Sequence, residues 1–268
     1  MLAIREFPVV DRRLQPYVEA YGLLQLRSTT IHEKELLPWP GCFLLFVDQA
    51  FAVDDQAFRG GCVLGMQENA RRLRWYDDEL TVFTVRFAPY GLRPFLRVPV
   101  PSLTAKASDA PGVFHLPLPS PFETVRSAAT PDAWVRAVED YLLANLVDDR
   151  KDEMDWHVMR LATAIKREPS LPLGPAREAI PLSDRQFARR FKAHVGVSLR
   201  TYVKICRFAY AKTSLLQSAP SSLTAVGYDA GYFDQAHFTH DFKKLAEGSP
   251  KLFPGQYPLH RLISKLDN

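Results

Sequence analysis

A six-residue pattern, Phe-x-x-x-Phe-Lys, occurs twice in the last third of this 268-residue chain, at residues 187–192 and 238–243. The two phenylalanines of each copy are one helical turn apart, so both rings face one side of a helix, which we expect to be buried. Ser183 precedes the first copy and Asp234 the second, and both residue types cap helix amino termini. A short helix, a tight turn and a capped helix of this kind predict a helix-turn-helix in each case.

One isolated aromatic pair at this spacing would more simply indicate an ordinary core stripe. Two copies with matching flanks favour the repeated motif instead. Residues 198–218 lie between the copies, carry apolar residues near helical spacing and predict one long helix. Such a rod would hold the two motifs at a fixed separation, which matters because major-groove faces of B-DNA recur every ~34 Å.

The sequence around these motifs resembles the AraC/XylS family of bacterial transcription regulators over residues 165–255. The residues that carry the resemblance are Leu182-Ser183, Phe187, Arg189, Phe191-Lys192, Gly196, Ser198, Arg207, Ala211, Leu215-Leu216, Gly231-Tyr232-Phe233-Asp234-Gln235-Ala236-His237-Phe238 and Phe242-Lys243. The resemblance implies that two recognition helices enter adjacent major grooves of one double-stranded DNA site.

Seven base-facing residues are implied by the same resemblance: Arg185, Ala188 and Arg189 in the first helix, and Gln235, Ala236, Thr239 and His240 in the second. Arginine can bind guanine through two hydrogen bonds, glutamine can bind adenine in the same way, and threonine can contact a thymine methyl group. The alanines offer only apolar contact. For His240, a solvated surface residue is the alternative.

Five further basic residues are interpreted as phosphate contacts that set register without carrying sequence information: Lys192, Arg200, Lys204, Lys243 and Lys244. A plain solvated helix face is the alternative for each of them.

The sequence departs from the family pattern in the first motif. Its scaffold helix is confined between Pro172 and Pro181, so we expect it to be short. Arg177 and Pro181 stand where the family usually has a small residue and a glycine. In the second motif, Glu247 occupies the usual glycine position, one residue before Gly248.

Charge separates the two halves of the chain. Residues 1–156 contain 17 Lys and Arg against 22 Asp and Glu, whereas residues 157–268 contain 17 against 8. The basic excess therefore coincides with the repeated motifs, as expected for the part that binds nucleic acid.

The front of the chain is predicted to be β-rich, with strands at residues 21–30, 41–47, 61–66 and 80–88 and a helix at 131–147. A second helix is predicted at 153–166, after a charged break at 148–152, with inward positions at Trp156, Met159, Ala162 and Thr163 or Ile165. The predicted fold class is α+β: a β-barrel-like or sandwich regulatory domain over residues 1–150, then an all-α domain with two helix-turn-helix units over residues 151–268. Short strings in the front half also resemble an uncharacterised β-rich domain that is often fused to AraC-type domains: Arg5 to Pro8, Pro38-Trp39-Pro40-Gly41, Leu44-Leu45-Phe46 and Val85-Arg86-Phe87-Ala88-Pro89-Tyr90-Gly91.

The resemblance implies that the front domain senses a small ligand or a partner, and that RNA polymerase is a further partner. The helix at 131–147 could form a homodimer contact, or simply pack on its own sheet, and the sequence leaves both open. A metal-dependent β-barrel enzyme is the rival, but only His32 and His115 precede residue 150, so we predict neither enzyme activity nor a metal or other cofactor. A non-enzymatic adaptor with a degenerate helical half is the other alternative.

The three cysteines, Cys42, Cys62 and Cys206, are scattered and are interpreted as buried structural thiols, as suits a reducing compartment. No targeting segment is apparent at the amino terminus, and we predict a cytoplasmic protein.

Overall fold

A computed structural model describes residues 2–27, 32–115, 130–147, 152–217 and 222–253. The chain divides into two compact units. The first comprises Met1–Leu36, Gly41–Met66 and Arg71–Arg150, and the second Leu37–Pro40, Gln67–Ala70 and Lys151–Asn268. An antiparallel sheet followed by helices confirms the predicted α+β class. Residues 148–151 at the predicted domain boundary, and residues 254–268 of the predicted second domain, lie outside the described residues.

Among the residues that the structure describes, eight strands form one antiparallel sheet in the first unit: β1 Leu2–Phe7, β2 Val18–Arg27, β3 Glu33–Leu36, β4 Phe43–Val53, β5 Gln56–Leu64, β6 Arg71–Trp75, β7 Glu79–Phe87 and β8 Ala107–Asp109. The main order is β1-β2-β7-β4-β5-β8, while β3 pairs with β6, and β6 also pairs with β4. The four predicted strands correspond to β2, β4, β5 and β7. The strongly charged β3 and β6 were missed because they lack an apolar alternation, and cross-strand pairs such as Arg74 with Glu33, 2.6 Å apart, help to join them.

The long strand β4 changes partner along its length. On one side, residues 43–47 pair with β7 and Phe51–Val53 pair with β6. On the other side, the pairing of β4 with β5 shifts register between Val47 and Ala50. The amide oxygen of Gln49, in the shifted segment, accepts hydrogen bonds of 3.0 Å from the backbone N–H groups of Tyr76 and Asp77. This bulge therefore supplies hydrogen bonds to the turn between β6 and β7, and one strand serves two parts of the sheet.

Within the described part of the first unit, two α-helices accompany this sheet, α1 Ala110–Val113 and α2 Pro131–Asn145. The ring of Trp134 in α2 contacts that of Phe83 in β7, with centroids 5.9 Å apart. The buried carboxylate of Glu139 accepts hydrogen bonds from the backbone of Val10 and Asp11 and from the hydroxyl of Tyr21. The apolar stripe of α2 therefore packs within its own unit, and a homodimer contact through it stays a prediction.

The second unit is helical: α3 Glu153–Arg167, α4 Leu173–Glu178, α5 Asp184–Val195, α6 Leu199–Gln217, α7 Leu223–Asp229 and α8 Gln235–Ala246. The predicted helix at 153–166 is confirmed, but the inward position predicted for Trp156 is wrong, because that side chain is 44% exposed. Its neighbour Asp155 is the buried residue instead, since it pairs with Arg190 and His194 of α5.

All three cysteines are free thiols and buried, as predicted, and burial raises the pKa of each to about 12. Thiols of this kind are poor nucleophiles at neutral pH. Within the described ranges, no helix is long and apolar enough to cross a membrane. Across the same ranges, no cluster of three or more His, Cys, Asp or Glu side chains is arranged to hold a metal ion.

Candidate nucleic-acid interface

Helix α5 is fixed at both ends by local sequence. Ser183 and Gln186 form a reciprocal capping box, in which each side chain accepts a hydrogen bond from the backbone N–H of the other residue. Gly196 ends the helix with a φ of 93°, a conformation that glycine adopts at little cost. The helix start predicted from Ser183 is thereby confirmed.

The phenylalanines of the first hexad face inward. Phe187 and Phe191 are buried with ring centroids 5.6 Å apart, and Phe191 contacts Tyr202 of α6 edge-on at 5.6 Å. The hydroxyl of Tyr202 donates a 3.0 Å hydrogen bond to the carbonyl of Ala162 in α3. This predicted inward stripe is confirmed, and it anchors α5 between α3 and α6.

The opposite face of α5 carries the predicted DNA contacts. Arg185, Ala188, Arg189 and Lys192 are all exposed. Their spacing of three, four and seven residues places them along one side of the helix. The structure therefore brings the three predicted base-reading residues and one predicted phosphate contact onto one accessible surface.

Arg177 closes the turn of the first helix-turn-helix. Its guanidinium donates hydrogen bonds to the carbonyls of Ile180 and Leu182, at 3.1 and 2.7 Å, and to the carboxylate of Asp184 at 3.0 Å. It also lies 4.4 Å over the ring of Phe187. The scaffold helix α4 has only six residues, none of them buried, so the prediction of a short helix is confirmed. The guanidinium of Arg177 therefore holds the turn through charge-assisted hydrogen bonds.

Helix α5 is also tied to α3 by a partly buried ionic cluster. Asp155 lies 2.6 Å from Nη1 of Arg190 and 2.9 Å from Nε2 of the buried His194, and Arg190 also contacts Asp152 at 2.7 Å. Burial acts to raise the pKa of Asp155, but hydrogen bonds and charges from His194 and Arg190 outweigh it and hold that pKa below its usual value. The carboxylate is therefore ionised at neutral pH. Its contacts with Arg190 and His194 set the rotation of α5 about its own axis.

Helix α8 repeats this construction. The Asp234 side chain accepts a 2.7 Å hydrogen bond from the backbone N–H of His237, and Phe238 and Phe242 are fully buried. Gly227 of α7 lies against Phe238, because a Cβ added there would approach the ring carbons to 3.3 Å. The predicted cap and inward stripe are confirmed in this copy too.

The outer face of α8 gathers five of the predicted residues around one shallow, open depression: Gln235, Ala236, Thr239, His240 and Lys243. Thr239 is partly buried and the other four are exposed, as is Lys244. Hydrogen-bonding, apolar and cationic groups thus share one surface, which is the combination needed to contact base edges and phosphates together.

Two predicted phosphate contacts lie on the long helix α6, in different surroundings. Arg200 is exposed. The ammonium of Lys204 instead lies 2.8 Å from Oδ1 of Asp241 in α8. This pairing gives Lys204 a structural role that the sequence did not indicate, and its contact with phosphate stays a prediction.

The sequence did not predict the roles of several residues that shape this surface: Arg177, Asp155, His194, Asp241 and Thr224, whose hydroxyl donates a 2.9 Å hydrogen bond to Oε1 of Gln235. The departure from the family pattern at Arg177 was visible in the sequence, but its partners were not. For the others, helical spacing alone gives no signal, because their partners lie on different helices.

The fold and this surface define a protein with a β-rich unit and two helix-turn-helix motifs joined by one helix. A sequence family described as a helix-turn-helix domain matches residues 178–254, and a domain of unknown function, DUF6597, matches residues 11–109. The carboxy-terminal part of this chain is therefore a helix-turn-helix domain of the AraC type, which confirms the resemblance drawn from its motifs.

An uncharacterized HTH-type transcriptional regulator of Haemophilus influenzae is 27% identical over 104 residues, which cover 39% of this chain and 30% of that protein. The match thus spans less than a third of the relative. ToxT from Vibrio cholerae shares the fold, with a TM-score of 0.52 and 9% identity over 94% of this chain and 97% of its own. A second ToxT structure, bound to (E)-4-(8-methylnaphthalen-1-yl)but-3-enoic acid, has a TM-score of 0.50, with 10% identity over 94% and 98% of the two chains.

Proposed function

We propose that this protein is a sequence-specific DNA-binding transcription regulator of the cytoplasm that inserts α5 and α8 into successive major grooves of one duplex site. The observation that carries the proposal is the shared construction of these helices. Each is capped at its amino terminus, buries a phenylalanine pair and exposes a polar or basic face. That is how a recognition helix presents side chains to base edges.

The linking helix supports simultaneous engagement of two grooves. Helix α6 runs for 19 residues, about 28 Å at the usual rise per residue, and is packed against both motifs through Tyr202 and Phe208. This length is comparable with the ~34 Å that separates consecutive major-groove faces. A continuous helix resists bending, so the two motifs keep one spacing.

Side-chain chemistry supports a division of labour on this surface. Arg185, Arg189 and Gln235 have the donor and acceptor groups to discriminate bases, with Ala188, Ala236, Thr239 and His240 as neighbouring contacts. Lys192, Arg200, Lys243 and Lys244 are exposed cations suited to phosphates. The acidic balance of residues 1–156 disfavours DNA binding by the front of the chain.

We further propose that the β-rich unit modulates DNA binding by taking up a small ligand or a protein partner. The structure of ToxT bound to a naphthalene-substituted butenoic acid motivates this part of the proposal. Contact with RNA polymerase and homodimerisation are further proposals for the same regulator. Measuring operator affinity of the full chain with and without a panel of small carboxylic acids tests the ligand, and unchanged affinity throughout would count against this class of effector.

Selection of duplexes from a random library by the full chain tests the central proposal. We expect one enriched site with two protected segments about one helical turn apart. Inserting about five base pairs between the segments should abolish specific binding, and so should about ten, because one rigid chain cannot span the longer gap. Weak binding without sequence preference or a footprint would instead favour the adaptor alternative.

A further inference from the structure

A hydrogen bond between Thr224 and Gln235 joins the two helices of the second helix-turn-helix, α7 and α8. The hydroxyl of Thr224 in α7 donates a 2.9 Å hydrogen bond to Oε1 of Gln235, the first residue of α8. Gln235 is exposed, and Thr224 is partly buried. A side chain that faces solvent at the start of a recognition helix is thus held by a second residue behind it.

The hydroxyl of Thr224 is itself held in a defined place. Ser222 caps α7 by accepting a 3.0 Å hydrogen bond from the backbone N–H of Ala225, which fixes the helical turn that carries Thr224. Gly227, in the same helix, packs against Phe238 of α8. Because these contacts set the distance between the two helices, Thr224 acts as a rigid support for the amide.

The consequence for base recognition follows from the chemistry of an amide. A free glutamine can rotate its amide by half a turn and exchange its acceptor oxygen with its donor NH2 group. Because a hydroxyl can donate or accept, the hydrogen bond with Thr224 restrains the side-chain torsions of Gln235 and so fixes where its amide lies, whichever end it holds. In the orientation present, the hydroxyl takes one lone pair of Oε1 and leaves the second lone pair and both N–H groups for DNA. A held amide offers one acceptor beside one donor, which matches N6 and N7 of adenine, whereas guanine presents two acceptors.

We propose that Thr224 is a positioning residue that orients the amide of Gln235 and thereby sharpens its preference for adenine. This inference rests on the proposed function and deepens it for one residue pair. In this proposal Thr224 does not contact DNA and acts only through Gln235.

The test uses the full chain and the duplex obtained by selection. The base pair read by Gln235 is located first, as the one at which Gln235→Ala loses discrimination among four duplexes that differ only there. Thr224→Val then removes the hydroxyl and nearly keeps the shape of the side chain, whereas Thr224→Ser keeps the hydroxyl. The double variant Thr224→Val/Gln235→Ala completes a double-mutant cycle, which measures the coupling between the two side chains.

We expect Thr224→Val to lose about twofold to tenfold of the discrimination at that base pair, the effect of one ordinary hydrogen bond. Thr224→Ser should keep the wild-type preference, and Thr224→Val should have no further effect beside Gln235→Ala. Thr224→Val should change neither the salt dependence of DNA binding nor the midpoint of urea unfolding. If Thr224→Val lowers the midpoint, Thr224→Ala against Thr224→Ser gives the same comparison.

The outcomes separate the inference from the proposed function. If the wild-type chain binds all duplexes equally, the proposed function fails. If the wild type discriminates but the Thr224→Val protein discriminates equally well, or if Gln235→Ala loses discrimination nowhere, the inference is overturned while the regulator stands.

Discussion

Lys204 of α6 and Asp241 of α8 form an ion pair of 2.8 Å, and Nε2 of His237 lies 3.5 Å from the other carboxylate oxygen. Asp241 is mostly buried, whereas Lys204 retains partial contact with solvent. The ion pair therefore joins α6 to the buried face of α8. It fixes the position of the second recognition helix relative to the linking helix.

Lys204→Met should destabilise the protein by about 1–3 kcal/mol, because it leaves a largely buried carboxylate without its cation. Its effect on the salt slope of DNA binding should be small. Lys244→Met is the matched control, since this exposed lysine should flatten the slope by about one unit and leave stability unchanged. Urea unfolding and titrations at several salt concentrations measure both quantities. The reverse pattern would establish Lys204 as a phosphate contact.

Gln235→Ala should relax discrimination at one operator base pair at a cost of about 1–3 kcal/mol, because a two-point contact with the base is lost. Lys243→Ala should weaken binding to all duplexes alike and flatten the salt slope by about one unit. Selected and scrambled duplexes, each titrated at several salt concentrations, distinguish the two effects. Equal losses from both variants on both duplexes would refute this division between base and phosphate contacts.

Arg177→Lys should destabilise the protein by about 1–3 kcal/mol, although the charge is kept. A lysine cannot reproduce hydrogen bonds to two carbonyls and a carboxylate while stacking on Phe187. Urea unfolding provides the measurement. Arg167→Lys, at an exposed position of α3, should stay within about 0.5 kcal/mol of the wild type. Similar values for the two variants would show that the turn does not depend on this clamp.

Asp155→Asn should destabilise the protein by about 1–3 kcal/mol at neutral pH, because Arg190 and His194 lose an ionised partner. The folded-state pKa of Asp155 lies below its ordinary value, so its contribution to stability is fully present above about pH 4 and is lost as the pH falls through the folded-state pKa. The difference in stability between the wild type and Asp155→Asn should therefore disappear only at acidic pH. Midpoints of urea unfolding measured from pH 7 to pH 2 test this. Asp229→Asn, at an exposed position, is the control, and its stability should stay close to that of the wild type throughout.

Glu247→Gly should stabilise the protein by about 1 kcal/mol. Glu247 ends α8 in the left-handed region, with φ 53° and ψ 19°, where a Cβ is unfavourable. Glu247→Ala is the matched control, because it also removes the acidic side chain from the helix carboxy terminus but keeps the Cβ. Thermal unfolding compares the two proteins. An equal gain for alanine would assign the effect to charge and not to the backbone.

Much of the fold was predictable wherever a single segment carries its own signal. The paired phenylalanines, the caps at Ser183 and Asp234 and the apolar runs of β4 and β7 indicated where elements begin and which face is buried. The pattern failed at Trp156, because Asp155 is held inside by partners from another helix. It failed again at β6, where the charges that obscure the strand pair with a neighbouring strand.

Residue spacing and composition were enough to identify the tandem motif, the basic half that contains it and the outward residues of α5 and α8, since helical periodicity and capping act within a few residues. The contacts that hold those outward faces in place form only in the folded chain: Arg177 across its turn, Asp155 beneath α5, Lys204 against Asp241 and Thr224 behind Gln235. These contacts join residues on different helices or across a turn. No periodic pattern specifies them, because each depends on how two elements pack, and packing is a property of the whole folded chain.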